Sequence, residues 1–314
     1  VYKRQPESSR RGGEGSANLP TKDKLLVQKE KRLSMFVEIN GNPLYYEELG
    51  AGNTQAILCF HGAPGLGDHR EPKGSWGRLA DRYRVIVQDQ RGSGQAGLNP
   101  PFTHKQWVDD AEALRQHLDL GKVVVAGGSY GGFLSQEYVL AYPESVLAVM
   151  LRDTSADSSW DKQAEANALA SPRVKDTLDL EKYRRTMAGR CFSDEDLRDC
   201  FAEIQPLYNV DWDPVKDAER LNSIHFHHGT HNYAFRYNLP GWDLKPRLGE
   251  IRVPVLITHG RHDWIVPLEA AEELERRTSD ARLVVFEKSG HSPQIEEADL
   301  WEAVVRRFLT ENGL

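Results

Sequence analysis

Residues 123–134 read VVVAGGSYGGFL, and this stretch decides which fold the rest of the chain has to supply. Its first four apolar residues predict a short buried strand, and Phe133, Leu134 and Tyr138 follow at helical spacing. The turn between them has the pattern G-x-S-x-G, which in a strand–turn–helix context holds a serine hydroxyl on an exposed, very tight turn. The sequence therefore predicts a nucleophilic Ser129 at the carboxyl end of a strand in an α/β sheet.

Other short apolar runs lie on both sides of this strand along the chain. Runs of this kind are typical of strands buried on both faces, which are usually parallel. Amphipathic helices separate them, as in His104–Leu118 and from Ala298 to Phe308. Such alternation predicts an α/β fold, with a mostly parallel sheet and helices on both faces. The other predicted strands are Met35–Ile39, Leu44–Glu48, Ala56–Phe60, Arg84–Gln88, Val146–Leu151, Val255–Thr258 and Leu283–Phe286.

The alternation stops between Thr154 and Pro246, where the sequence is polar, helix-prone and rich in Trp, His and Tyr. An interruption of this length exceeds an ordinary loop, so we predict a helical cap, or lid, at 154–246, inserted between two strands. Residues 34–153 and 247–314 then form the core. The chain begins with a polar stretch rich in Arg, Gly and Ser, and we expect 1–33 to be a flexible tail.

A serine nucleophile needs a base and a group that orients the base. On this type of sheet the chain order is serine, acid, histidine. His291 follows the last predicted strand and Asp263 follows the strand before it, so both reach the sheet edge that carries Ser129. Asp153 also ends a strand and is an alternative acid for His291.

The loop His61-Gly62-Ala63-Pro64-Gly65 directly follows the predicted strand Ala56–Phe60. An oxyanion hole takes one backbone N–H from such a loop and one from the residue after the nucleophile. We therefore predict that the N–H groups of Ala63 and Tyr130 bind the oxyanion, and that His61 and Gly62 contact the substrate.

The composition narrows the classes of function. The 314 residues carry 40 Lys and Arg against 47 Asp and Glu, and the resulting net charge of −7 argues against a nucleic-acid partner. No apolar run reaches the ~18–20 residues of a membrane span, and no signal-peptide pattern is present. We expect a cytoplasmic protein without a membrane partner, and the oligomeric state stays open.

Four histidines crowd the segment Ile224–Phe235, which raises the question of a metal site. A zinc site needs three or four converging ligands. A site made of Ser129, His291 and an aspartate performs its chemistry without a metal, so we expect neither a metal nor a cofactor.

From about residue 34 to residue 312 the sequence resembles the α/β-hydrolase superfamily, and within it the proline iminopeptidase family of serine aminopeptidases. The resemblance implies that Ser129, Asp263 and His291 form a catalytic triad acting on a small-molecule substrate. Epoxide hydrolases and haloalkane dehalogenases share the fold, but they use an aspartate where this chain has Ser129. The resembling segments are 61–65, 89–94 (DQRGSG), 127–132, 260–267 and 289–291.

Three positions depart from the pattern of that family. Its first loop usually has a second glycine where this chain has Ala63, and the extra methyl group enters the acyl site. Glutamates of the family hold the free amine of the substrate, and the corresponding positions here are Asn232 and Trp264. Burying an ammonium without a counter-charge is strongly unfavourable. We expect Asn232, Tyr233 and Trp264 to line the substrate pocket.

These observations predict an enzyme, a cofactor-independent serine hydrolase that transfers the acyl group of a small amide, ester or lactone. For aminopeptidase activity, Glu203 or Asp243 would have to replace the missing acids. The alternatives are a carboxylesterase or lactonase without aminopeptidase activity, and a non-catalytic ligand-binding protein on the same fold.

Overall fold

A computed structural model describes residues 33–314, so the predicted tail at 1–33 lies outside the described residues except for Leu33. The strands are β1 (Leu33–Ile39), β2 (Asn42–Leu49), β3 (Ala56–Phe60), β4 (Arg84–Asp89), β5 (Val123–Gly128), β6 (Val146–Arg152), β7 (Val255–Gly260) and β8 (Ala281–Phe286). They form one sheet in the order β1-β2-β4-β3-β5-β6-β7-β8. Strands β3 to β8 are parallel to one another, and β2 is antiparallel to both of its neighbours.

Strands β1, β2 and β3 follow one another directly, and helices alternate with strands from β3 to β6 and again from β7 to the end of the chain. Polar side chains cap several of them; the Thr103 hydroxyl, for example, accepts the backbone N–H of Gln106 and starts α2. None of the described helices is both long and apolar enough to cross a membrane. The α-helices are α1 (Arg70–Ser75), α2 (His104–His117), α3 (Tyr130–Ala141), α4 (Asp161–Ala170), α5 (Leu180–Met187), α6 (Asp194–Ile204), α7 (Pro214–Ser223), α8 (His228–Tyr233), α9 (Leu268–Arg277), α10 (Pro293–Glu296) and α11 (Ala298–Glu311).

Two apolar layers enclose the sheet. Every residue of β3 and β5 is buried, and alternate side chains of a strand point to opposite faces. Leu58 and Val125 pack with α2, α3 and α9, whereas Ile57 and Val124 pack with α11 on the other face. Burial on both faces is what the continuous apolar runs indicate, and the predicted α/β fold with a mostly parallel, helix-covered sheet is confirmed.

The predicted and observed strands agree in number and order. Strands β1, β2 and β8 begin two residues earlier than predicted, and β2, β4, β5, β6 and β7 end one or two residues later. Strand β5 continues to Gly128 and β7 to Gly260, two residues beyond each apolar run. Glycine is required at the end of β7, because a Cβ on Gly260 would lie 1.8 Å from the carbonyl oxygen of Gly290. The extensions carry regular strand geometry as far as the loops with Ser129 and Asp263.

The chain between β6 and β7, residues 153–254, contains α4 to α8 and is called the helical segment below. Apart from one isolated bridge between Asp157 and Asp243, its regular structure is helical. Its buried side chains, such as Tyr183 and Phe201, form an apolar cluster that includes Trp264. All described residues belong to one compact unit, so the division into a core and a cap stays a prediction.

Candidate active site

Ser129 stands on the turn between β5 and α3. Its backbone has φ 53° and ψ −126°, a conformation that few non-glycine residues adopt. The carbonyl oxygen of Arg152 accepts the Ser129 N–H at 2.8 Å and holds the turn in place. A Cβ on Gly131 would lie 2.4 Å from the carbonyl oxygen of Phe60, so the turn needs glycine there. Ser129 itself is partly exposed, as a nucleophile must be.

His291 and Asp263 meet across the loops that follow β8 and β7. Nδ1 of His291 donates to Oδ2 of Asp263 at 2.7 Å. The other carboxylate oxygen, Oδ1, accepts the backbone N–H groups of Ile265 and Val266 at 3.0 and 3.1 Å. The loop thus fixes the carboxylate, and the carboxylate fixes the orientation and tautomer of the imidazole.

Each of these two groups shifts the pKa of the other. Burial alone would raise the pKa of Asp263, but the charge and the hydrogen bond of His291 lower it below its ordinary value. Burial alone would lower the pKa of His291, but Asp263 raises it above the ordinary histidine value. An ionised carboxylate beside a more basic imidazole is the arrangement that stabilises an imidazolium.

The second ring nitrogen of His291 is free to accept a proton. Nε2 is buried and has no hydrogen-bond partner among residues 33–314. Leaving a buried acceptor unpaired is unfavourable, so such an atom calls for a functional reason. Contacts between nucleophile and base are often long before a substrate binds, which fits the missing hydrogen bond to the Ser129 hydroxyl.

Asp153, the alternative acid, is fully buried at the end of β6 and bonds elsewhere. Its Oδ1 accepts the backbone N–H of Gly260 at 2.8 Å, and burial raises its pKa. His259 lies between the two aspartates, with Nδ1 4.0 Å from Asp153 and Nε2 3.8 Å from Asp263. Of the two candidate acids, Asp263 is therefore the one that hydrogen-bonds His291.

The loop after β3 lies against Ser129. A Cβ on Gly62 would lie 3.2 Å from Cβ of Ser129, so this position lies directly beside the serine. Ala63 has a positive φ of 46°, and its carbonyl oxygen accepts the N–H groups of Leu66 and Gly67. The N–H of Ala63 has no hydrogen-bond partner in the described part of the chain.

Tyr130 supplies the second predicted oxyanion donor from the first residue of α3. The first N–H groups of a helix have no acceptor within the helix, so this group remains available. Its side chain points into the protein, where the phenol bonds Nε2 of His104 at 2.7 Å. The backbone and the side chain of Tyr130 thus serve different contacts.

His61 is fully buried, and both of its ring nitrogens are used inside the protein. Nδ1 donates to the carbonyl oxygen of Gly62 at 2.7 Å, and Nε2 accepts the N–H of Gln90 at 3.2 Å. Burial lowers the pKa of His61, so the ring stays neutral. The structure therefore places His61 as a support of the loop, whereas Gly62 lies beside Ser129.

Each of the three predicted pocket residues has partners within the protein. Both polar atoms of the Asn232 side chain bond the backbone of Cys191. Oδ1 accepts the Cys191 N–H at 3.0 Å, and Nδ2 donates to the Cys191 carbonyl oxygen at 2.7 Å. Tyr233 packs edge-on against Phe102 at 6.1 Å between ring centroids. Trp264 follows Asp263 directly and is only 5% exposed.

Sequence reasoning missed Tyr208, which connects the helical segment to His291. Its carbonyl oxygen accepts the backbone N–H of His291 at 2.8 Å, and its ring lies 5.3 Å from the imidazole between centroids. The same ring meets Trp264 edge-on at 5.7 Å. Tyr208 belongs to a polar stretch without a motif, so the sequence holds no signal for this role.

Three of the four histidines in Ile224–Phe235 have separate partners, and none of the four belongs to a group of converging ligand atoms among the described residues. His227 Nε2 contacts the carbonyl oxygen of Gly94 at 3.2 Å, His228 Nδ1 contacts Asp194 at 2.7 Å, and His231 Nε2 contacts the carbonyl oxygen of Thr186 at 3.0 Å.

Three other groups among the described residues have potential ligand atoms within 4.8 Å of one another. One group is Asp153 with His259 and Asp263, and it contains the candidate triad acid. In the other two an arginine already neutralises a carboxylate, since Arg70 pairs with Asp68 and Arg185 pairs with Asp196. The groups are Asp153 with His259 and Asp263, Asp68 with His69 and Asp89, and Cys191 with Asp196 and Cys200.

The chain is similar in sequence and in fold to known hydrolases. Residues 55–298 match the family described as α/β hydrolase fold. The chain is 29% identical to a proline iminopeptidase of Pestalotiopsis fici over 277 residues, covering 87% of this chain and 98% of that protein. It is 27% identical to a proline iminopeptidase of Lactobacillus helveticus, covering 87% and 96%. A thermophilic esterase from Thermogutta terrifontis superposes with a TM-score of 0.70 at 23% identity, covering 89% of this chain and 99% of that one.

Proposed function

This chain belongs to the α/β-hydrolase fold family, and we propose that it is a cofactor-independent serine hydrolase that works by acyl transfer. The observation that carries the proposal is the bond of 2.7 Å between His291 Nδ1 and Asp263 Oδ2, with Nε2 of the same ring unpaired. Ser129 adds a partly exposed hydroxyl on a strained turn, a conformation that is unfavourable without a functional reason.

The proposed reaction has two acyl-transfer steps. The Ser129 hydroxyl attacks the substrate carbonyl carbon and passes its proton to Nε2 of His291, while Asp263 stabilises the imidazolium. The N–H groups of Ala63 and Tyr130 hold the negative oxygen of the tetrahedral intermediate. The imidazolium then protonates the leaving group as its bond to carbon breaks. Water repeats the sequence on the acyl-enzyme and releases the acid.

For the substrate we propose a small neutral ester, lactone or amide. No counter-charge for a free amine is found at the positions where the resemblance places one. Asn232 is bonded to the backbone of Cys191, and Trp264 is a buried aromatic residue. Glu203 pairs with Lys182 at 2.9 Å, so this candidate substitute is already neutralised.

Asp243, the other candidate substitute, also has partners within the protein. Its carboxylate accepts the backbone N–H of Lys245 at 2.8 Å, and its backbone bridges to Asp157.

Aminopeptidase activity is the second candidate function, because the relatives from Pestalotiopsis fici and Lactobacillus helveticus are named proline iminopeptidases.

A fluorophosphonate probe tests the mechanism, since it phosphonylates a serine only when a base activates it. We expect labelling of the wild type and none of Ser129→Ala. Ser93→Ala is a matched control, because Ser93 is buried and its hydroxyl accepts the Gly65 N–H. Equal labelling of the wild type and Ser129→Ala would refute the proposal.

Three substrates measured in parallel test the specificity: a neutral aryl ester, a prolyl arylamide, and the same arylamide with its amine acetylated. We expect turnover of the ester, and no preference for the free amine over the acetylated one. A large preference for the free amine would mean that a counter-charge exists and that the chain is an aminopeptidase.

A further inference from the structure

Two adjacent residues at the end of β6 contact all three catalytic loops. On the basis of the proposed function, we infer that Arg152 and Asp153 are positioning residues, which hold the loops of Ser129, Asp263 and His291 in register with one another. Neither residue has a role in the acyl-transfer steps.

The first contact is with the nucleophile. The carbonyl oxygen of Arg152 accepts the Ser129 N–H at 2.8 Å. The guanidinium lies against the same strand end, since a Cβ on Gly128 would be 2.0 Å from its Nη2. Arg152 therefore meets the turn both through its backbone and through its side chain.

The second contact is with the base. Nη1 of Arg152 donates to the carbonyl oxygen of His291 at 3.0 Å. Nη2 bonds the carboxylate of Glu71 in α1, which anchors the far end of the guanidinium. Arg152 is only 3% exposed, and its hydrogen bond to His291 is buried. The planar fork of arginine can make these two contacts at once, which a lysine ammonium does poorly.

The third contact is with the acid. Asp153 Oδ1 accepts the Gly260 N–H at 2.8 Å, and Gly260 ends β7 three residues before Asp263. Asp153 N–H also donates to the carbonyl oxygen of Thr258 at 2.9 Å. The residue has a positive φ of 47°, an unfavourable conformation that turns its side chain from its strand towards β7.

Buried charges are weak evidence for stability, because their desolvation offsets much of the attraction. A contribution to stability alone therefore does not explain why a buried arginine and a buried aspartate lie at this place. A displacement of about 1 Å can lower an enzymatic rate about 100-fold, so holding three loops in register is a sufficient reason.

The same contacts predict how the base titrates. Burial lowers the pKa of His291, Asp263 and Asp153 raise it, and Arg152 lowers it. Removing the charge of Arg152 should therefore raise this pKa, while keeping the charge should leave it unchanged. The titratable and charged groups around the imidazole are Asp263 and His259 from β7 and its loop, Arg152 and Asp153 from β6, Glu71 from α1 and Tyr208 from the helical segment.

The test compares Arg152→Lys with Arg152→Gln. We expect both to lower kcat about 10- to 100-fold with little change in KM, because the substrate groups are untouched. The lower pKa of the pH–kcat/KM profile should rise for Arg152→Gln and stay in place for Arg152→Lys. Arg282→Gln is a control with wild-type rates, since its guanidinium forms an exposed pair with Glu311 at 2.8 Å.

Asp153 is tested with asparagine and alanine. Asp153→Asn keeps an acceptor for the Gly260 N–H and should lose less than about tenfold in kcat, whereas Asp153→Ala should lose about 10- to 100-fold. Wild-type kcat in Arg152→Lys and Asp153→Ala would overturn the inference, and Arg152→Lys decides alone if Arg152→Gln does not fold. A wild type without fluorophosphonate labelling would instead refute the proposed function.

Discussion

Replacing Asp263 with asparagine should abolish most of the activity while leaving the fold intact. The carboxylate Oδ1 accepts two backbone N–H groups, from Ile265 and Val266. An asparagine must place its carbonyl oxygen at that position, because an amide NH2 there would face two donors. Its NH2 group is then forced into the position of Oδ2, 2.7 Å from Nδ1 of His291.

This exchange reverses the tautomer of the base. Nδ1 of His291 becomes a hydrogen-bond acceptor, so the ring proton moves to Nε2, the atom that must take the proton of Ser129. In the serine–histidine–aspartate template the same substitution lowers kcat about 10⁴-fold, equivalent to about 5.5 kcal/mol of transition-state stabilisation. We expect a loss of this size here, with KM nearly unchanged.

The assay is steady-state hydrolysis of the neutral aryl ester, together with the rate of fluorophosphonate labelling. Asp153→Asn is the matched control, because it changes the other buried aspartate and is expected to lose less than about tenfold. A larger loss for Asp153→Asn than for Asp263→Asn would show that Asp153 orients the base and that the reasoning is wrong.

Three further predictions concern strain, titration and the helical segment. Ala63→Gly should raise the free energy of unfolding by about 1 kcal/mol in urea, because Ala63 has a φ of 46°, and a decrease would contradict this. The value of kcat/KM should rise with pH through a pKa above the ordinary histidine value, since Asp263 raises the pKa of His291 and only the neutral ring acts as a base; an apparent pKa below that ordinary value of ~6.5 would contradict this. Asn232→Ala should lower the free energy of unfolding by about 2 kcal/mol, because two hydrogen bonds to the backbone of Cys191 are lost, whereas the exposed Asn222→Ala should have little effect.

The centre of the sheet could be predicted from the sequence because strands β3 to β7 are buried on both faces. Burial on both faces makes each strand a continuous apolar run, and the run Val123–Ala126 is followed by the glycine pattern that the turn at Ser129 requires. In a parallel sheet the order of strands along the chain then places the loops with Asp263 and His291 at the same edge.

The choice between the two acids lay beyond this kind of reasoning. Asp153 and Asp263 both follow strands that reach the same edge, so strand order alone treats them alike. The two aspartates differ in their local hydrogen bonds. The N–H groups of Ile265 and Val266 aim the carboxylate of Asp263 at His291, while the Gly260 N–H draws Asp153 towards β7.

Specificity is harder to predict than the reaction, for a related physical reason. The candidate triad comes from strand ends, where periodic burial constrains the sequence, but Asn232 and Tyr208 come from the helical segment, where contacts join residues far apart without any pattern. Relatives that are 25–29% identical can therefore share an acyl-transfer site and differ in charge around the substrate. Because Asn232 carries no charge and is bonded to Cys191, we expect this chain to act on neutral substrates that have no free amine.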